Sequence, residues 1–183
     1  KTAVVDYQGQ YTFAYSNATD YNAMAAALKK LNLFKGSFTG YGEGFDLEVA
    51  PTRLQALIMF IRVLGEEEQA LAWTGSQPFK DIHAGTQAYQ YVGYAYENGL
   101  TNGISETEFG TGNATIQMYL TFVLRSLDYS DRGGEDFSYD EPYSLSYHTG
   151  ILPDSVDREN FLREDVVIIS YCALSAYMKN TSE

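Results

Sequence analysis

One cysteine in 183 residues excludes an intramolecular disulfide framework and any zinc site built on several thiolates. Cys172 sits in the apolar run Val166 to Leu174, so it reads as a buried, inert thiol. Two histidines, His83 and His148, lie far apart without a Cys or acidic partner at ligand spacing, so no metal is expected. Basic residues are scarce: 12 Lys+Arg stand against 24 Asp+Glu, a net charge of −12. That balance argues against a general nucleic-acid binder, which needs cations to displace phosphate counterions. No apolar run reaches the 18 or so residues that span a bilayer. The chain begins at Lys1 with no apolar signal core, which fits a processed secretory product or a trimmed chain.

What is present supports a core. Hydrophobic residues make up 45% and charged residues only 20%, so wholesale disorder is not expected. The chain also repeats itself. Three blocks share a helix-like stretch, a turn after Leu or Ile, a loop, and a very apolar helix. The first helices are expected over Tyr21 to Phe34, Ala88 to Asn98 and Tyr143 to Thr149. The second helices start near Thr52, Thr115 and Leu162, spaced 63 and 47 residues apart. Between Leu54 and Leu64 only Gln55 and Arg62 are polar, and Val166 to Met178 is almost as apolar. Helices apolar on nearly all sides must be surrounded, so these three should pack together with the more polar first helices outside.

Helix starts sharpen the pattern. Thr52-Arg-Leu-Gln55 is a capping box, in which Thr52 and Gln55 satisfy each other's free backbone N–H groups. The second block keeps Thr115 but has Met118 at the reciprocal position; the third has Leu162 at the cap and Asp165 at the acidic place. Residues 1–18 alternate and suggest a short strand or extended arm lying on the bundle.

Pro78-Phe-Lys-Asp-Ile82, an aromatic-rich helix, Glu97 to Gly103, Phe109 and Thr115 together resemble an S-layer homology module. Leu28 to Gly36, Phe45-Asp-Leu47 and Thr52 to Gln55 resemble a second copy; Phe137, Tyr143, Gly150-Ile151 and Leu162-Arg-Glu164 resemble a shorter third. The resemblance covers about residues 19 to 179 and divides the chain into an extension (1–18) and modules at 19–72, 73–132 and 133–183. It implies a mainly α fold, with three helix–loop–helix modules in a pseudo-threefold arrangement around a central three-helix bundle. It further implies non-catalytic binding of a bacterial secondary cell-wall polysaccharide, often pyruvylated, that anchors a protein at the extracellular cell surface without cofactor. The alternative is a divergent scaffold for protein–protein contact or surface-layer assembly. An enzyme ranks third, because no nucleophile–base set or singled-out carboxylate pair is present.

Carried across, the resemblance implies binding residues at Thr52, Arg53, Gln55, Asp81, Gly36, Gly103, Tyr143 and Arg163. Arg53 and Arg163 hold the family's Thr-Arg-Ala-Glu arginine position, and Ile116 stands there in the second module. Tyr143 takes the place of a family Trp, and Gln87 does so in the second module. An arginine in the first turn of a helix suits an anion on physical grounds, since free N–H groups and the positive end of the helix dipole add to its fork. The competing reading pairs these arginines with Glu43, Asp46 or Glu164. No Lys or Arg occurs from Asp81 to Leu124, so unless Lys80 or Arg125 at its borders supplies a cation, the second groove borrows charge from a neighbour, takes a neutral sugar, or is inactive. One or two working grooves are expected.

Sixteen Tyr and ten Phe could offer sugar-stacking faces, but Tyr89, Tyr96 and their neighbours read first as filler between outer and central helices. Gly40 to Gly44 lacks the strand and Lys of a phosphate loop. The acidic stretch Asp128 to Glu141 lacks EF-hand spacing and reads as a linker.

Overall fold

The computed structural model describes residues 2–5, 11–14, 20–35 and 45–179. Gly36, Glu43 and the Gly40 to Gly44 loop lie outside them. The fold is mainly α: among the described residues there are seven α-helices, one 3-10 turn (Arg132–Gly134) and one strand pair. Strands β1 (Thr2–Val5) and β2 (Tyr11–Ala14) run antiparallel, with Thr2 opposite Ala14. The expected N-terminal strand is therefore one arm of a hairpin.

The helices are α1 (Tyr21–Lys30), α2 (Arg53–Val63), α3 (Glu67–Ala72), α4 (Gln87–Glu97), α5 (Ile116–Ser126), α6 (Tyr143–His148) and α7 (Arg163–Ala173). Their starts follow local chemistry. The Thr52 hydroxyl accepts from Gln55 N at 3.2 Å while Gln55 Oε1 accepts from Thr52 N at 2.9 Å, so the capping box is complete. Thr115 caps α5 through Met118 N alone, at 3.3 Å. At α7 only the reciprocal half exists: Asp165 Oδ2 accepts from Leu162 N at 2.8 Å.

Helices α2, α5 and α7 each touch the other two. Phe60 of α2 meets Tyr119 of α5 edge-on at 5.7 Å and stacks with Phe122 at 6.0 Å. The Tyr119 hydroxyl is hydrogen-bonded to Ser170 of α7 at 2.6 Å, which satisfies its one polar atom in the interior. Outside this trio, α1 lies on α7, α4 on α2, and α6 on α5. Each outer helix thus packs on a central helix from another repeat block. The buried apolar residues of all three blocks form one continuous core.

Three sequence expectations need correction. The apolar run after Ser170 is not surrounded: α7 ends at Ala173, and Leu174, Tyr177 and Met178 are exposed. Only its small residues Cys172, Ala173 and Ala176 still pack against the core there. Cys172 is accordingly half-buried rather than fully enclosed, with burial pushing its thiol pKa up. Tyr91, at 3% exposure, fills the space between outer and central helices, whereas Tyr96 is 42% exposed, edge-on to Phe79. Helix α3 went unforeseen because six residues are too few for a periodic signal. It is held by Tyr91 and Tyr94, whose hydroxyls donate to Glu67 and Glu66. Burial pushes the Glu67 carboxyl up, but hydrogen bonds from Lys35, Tyr91 and Arg62 outweigh it and bring its pKa down to about 2.

Trp73 lies against α4 at Gly93, and its indole N–H donates to Glu97. A Cβ on Gly93 would overlap the six-membered ring of Trp73. Gly→Ala inside a helix ordinarily stabilises by roughly 0.5–1 kcal/mol. Here Gly93→Ala is expected to destabilise by about 1–2 kcal/mol through overpacking. Trp73 is the sole tryptophan, so a red-shifted emission in the folded variant checks this directly. Unchanged emission with raised stability would contradict it.

Asp165 is 3% exposed, and burial raises the pKa of its carboxyl from 3.8 to about 6, against the bond from Leu162 N. Its folded pKa therefore lies above the unfolded value. The native state holds this proton longer, and stability falls as pH rises from about 4 to about 6. Asp165→Asn keeps the acceptor and removes the charge, so it is expected to stabilise by about 1–2 kcal/mol at neutral pH and little near pH 4. Denaturant midpoints at the two pH values measure this; an equal shift at both would contradict it.

Candidate functional site

Arg53 is the first residue of α2, and the entry to that helix is clamped to the loop before α5. Arg53 N donates to Gly112 O at 2.9 Å and Ala114 N to Pro51 O at 2.8 Å, making a two-stranded bridge between blocks one and two. This clamp delivers the Arg53 side chain into the second block. Its Nε donates to Phe109 O at 3.1 Å, and its guanidinium lies 5.3 Å from the centre of the Phe109 ring. Arg53 makes no ion pair among the described residues.

Asp81 secures the receiving loop. Its two carboxylate oxygens accept from Phe109 N at 2.9 Å and Gly110 N at 2.8 Å, which fixes the carbonyl that holds Arg53. Gly110 has φ +92°, and a Cβ there would stand 3.0 Å from Arg53 Nε. Gly103, at φ +73°, likewise leaves no room for a side chain against Phe79 and the Glu108 carbonyl. Thr52 and Gln55 serve the helix cap described above. Asp81, Thr52 and Gln55 thus position Arg53 rather than line the opening.

The opening is a cleft of about 410 Å³ lined by Arg53, Thr101, Asn102, Gly103, Ile104, Met118, Thr121, Phe122, Arg125, Asp131 and Tyr139. Met118 and Phe122 are buried, whereas Ile104 and Tyr139 are exposed at its edge. Arg53, from block one, and Arg125, at the end of α5, both line this cleft. Arg125 forms a two-pronged ion pair, with Nε to Asp131 Oδ1 at 3.0 Å and Nη2 to Oδ2 at 2.7 Å, while Nη1 donates to Leu100 O at 3.0 Å. Burial would raise the Asp131 carboxyl, but Arg125 outweighs it and holds it below its ordinary range. Arg125 was visible in the sequence only as a border residue. Asp131 and Tyr139, in the linker, carried no signal, because linkers have no periodicity to read.

A comparison with protein-family models and with curated proteins finds no match.

Arg163 repeats the Arg53 arrangement one block over. Arg163 N donates to Val49 O at 3.1 Å and Glu164 N to Leu47 O at 3.0 Å. Its Nε donates to Phe45 O at 3.2 Å, and its guanidinium lies 5.4 Å from the Phe34 ring centre. The outcome differs: Arg163 is 2% exposed, with Nη1 on Met59 Sδ at 3.7 Å. Burial lowers its pKa, while the nearby Asp46 works in the opposite direction. Ile116, in the matching position of α5, is buried at 2% exposure. Tyr143 opens α6 with Arg158 stacked on its ring at 4.2 Å, and Arg158 also lies 5.3 Å from the Tyr147 ring. Arg53, Gly103 and the loop tied by Asp81 are thus brought together, while Arg163 and Tyr143 lie elsewhere.

Among the described residues, no group of three or more His, Cys, Asp or Glu side chains is placed to hold a metal ion. The acidic linker is instead tied to cations: Lys179 Nζ donates to Asp136 at 2.7 Å, and Arg125 binds Asp131. No helix among the described residues is long and apolar enough to cross a membrane.

Proposed function

We propose that the chain is a non-catalytic glycan-binding unit of S-layer homology type, which retains a protein at a bacterial cell surface by holding an acidic secondary cell-wall polysaccharide. On this reading the three blocks are modules in pseudo-threefold relation. Two features support it: the mutual contact of α2, α5 and α7, and the packing of each outer helix on a central helix of another block. The observation that carries the binding role is Arg53: a guanidinium fixed at a helix start, at the wall of an open cleft, with no carboxylate partner among the described residues. A planar fork at the positive end of a helix suits a sugar carboxylate such as a pyruvyl group.

The scaffold alternative draws on a different observation: the two other helix starts offer a buried Arg163 and an apolar Ile116. One working groove, in the Arg53 cleft, reconciles both. The test is co-sedimentation of the full chain with purified cell walls, native and chemically de-pyruvylated. Retention by native walls that drops on de-pyruvylation is the expected result. No retention by either preparation refutes the binding role and leaves the scaffold.

A further inference from the structure

Among the described residues, two arginines line the Arg53 cleft, and of these only Arg53 is without a carboxylate partner. The charged groups that line it are Arg53, Arg125 and Asp131. Arg53 has no carboxylate partner among the described residues, whereas Arg125 is closed against Asp131 by two hydrogen bonds and against Leu100 O by a third. Both members of that pair are largely shielded, with side chains 13% and 14% exposed, so solvent screens them weakly.

We propose that this charge arrangement makes the cleft select a sugar bearing one carboxylate over a sugar bearing a phosphate monoester, with Asp131 as the discriminating residue. The inference rests on the glycan-binding reading of the same cleft. One carboxylate neutralises Arg53 and leaves the cleft balanced. A phosphate monoester carries about −1.5 to −2 charges at pH 7, so its second charge meets no further unpaired cation among the described residues that line the cleft, and it shares the cleft with the Asp131 carboxylate. Like charges brought together out of water are costly, which turns an ion pair of structural appearance into a filter. Ile104 and Tyr139, exposed at the edge, offer apolar surface to the C–H face of the sugar ring.

The experiment is an NMR titration of the full chain with glucose, glucuronate and glucose 6-phosphate, following the Nε–H signals of Arg53 and Arg125. Glucuronate is expected to move the Arg53 signal at about tenfold lower concentration than glucose 6-phosphate at neutral pH. Lowering the pH from about 7.5 to about 5 protonates the phosphate, whose second pKa is about 6, and should close most of that gap. Asp131→Asn frees Arg125, and should improve glucose 6-phosphate binding about tenfold while the Arg125 signal begins to respond. Equal affinities for the two acids in the unaltered chain overturn the proposal, as does a ratio within twofold of the original in a folded Asp131→Asn variant. Where that variant does not fold, the pH series on the unaltered chain decides. If neither acid moves Arg53, the glycan-binding reading itself fails. Glucuronate binding that depends on Arg53, with no discrimination against phosphate, overturns the selectivity and leaves the glycan-binding reading standing.

Discussion

Arg53→Ala is expected to weaken binding of an acidic cell-wall polysaccharide by about 10- to 100-fold, the loss that follows from removing charged hydrogen bonds each worth roughly 1.5–3 kcal/mol. The side chain is held from behind through Nε to Phe109 O and by the face of the Phe109 ring, so its remaining N–H groups are oriented before any ligand arrives. Ordering is therefore not charged against binding, and most of the hydrogen-bond energy is realised as affinity. Arg53→Lys keeps the charge but loses both the fork and the Nε bond to Phe109 O. It should fall between the two, about three- to tenfold weaker than the original. Isothermal titration with purified polymer measures both variants. An Arg53→Ala protein that folds and binds as before would sink the role of this cleft.

The same substitution one block over should act on stability. Arg163→Ala is expected to cost about 3 kcal/mol, in the range for breaking a buried charged contact. It strips the donor from Phe45 O, empties the space between Phe34 and Met59, and removes the charge that faces Asp46. These contacts join α7 to α2 and to the loop before α2, so the loss should be felt where blocks one and three meet. Arg163→Met refills much of the volume without a charge to desolvate, and should recover a good part of the loss. Denaturant unfolding of the three proteins provides the comparison. A shift below about 0.5 kcal/mol for Arg163→Ala would mean that its contacts are as weak as exposed ones.

These two arginines show how far sequence reading reaches. Both sit one residue past a helix cap, both send Nε to a phenylalanine carbonyl, and both were matched candidates. Their exposures differ, 9% against 2%, because their surroundings differ. Arg53 lies against Gly110, where a Cβ would stand 3.0 Å from its Nε, and it lines the open cleft. Arg163 is walled by Phe34 and Met59. Neighbours brought from distant parts of the chain make that difference, and no spacing rule encodes them. Arg125 and Asp131 make the same point: six residues apart, one in the last turn of α5 and the other in the linker beyond it, they pair tightly without any spacing rule to announce it.

The scarcity that marks this chain at first sight is one cysteine, few cations, and none between Asp81 and Leu124. By itself the sequence determined the helical class, the caps at Thr52 and Thr115, and the burial of the apolar helices. These depend on residue type and on periods of a few residues, which are local properties. Tertiary structure alone decided that α4 leans on α2 and α1 on α7, that a cation from block one reaches the cleft of block two, and that Asp131 cancels Arg125 there. Such outcomes depend on which surfaces meet when the chain closes on itself, and that is settled by packing the whole core at once.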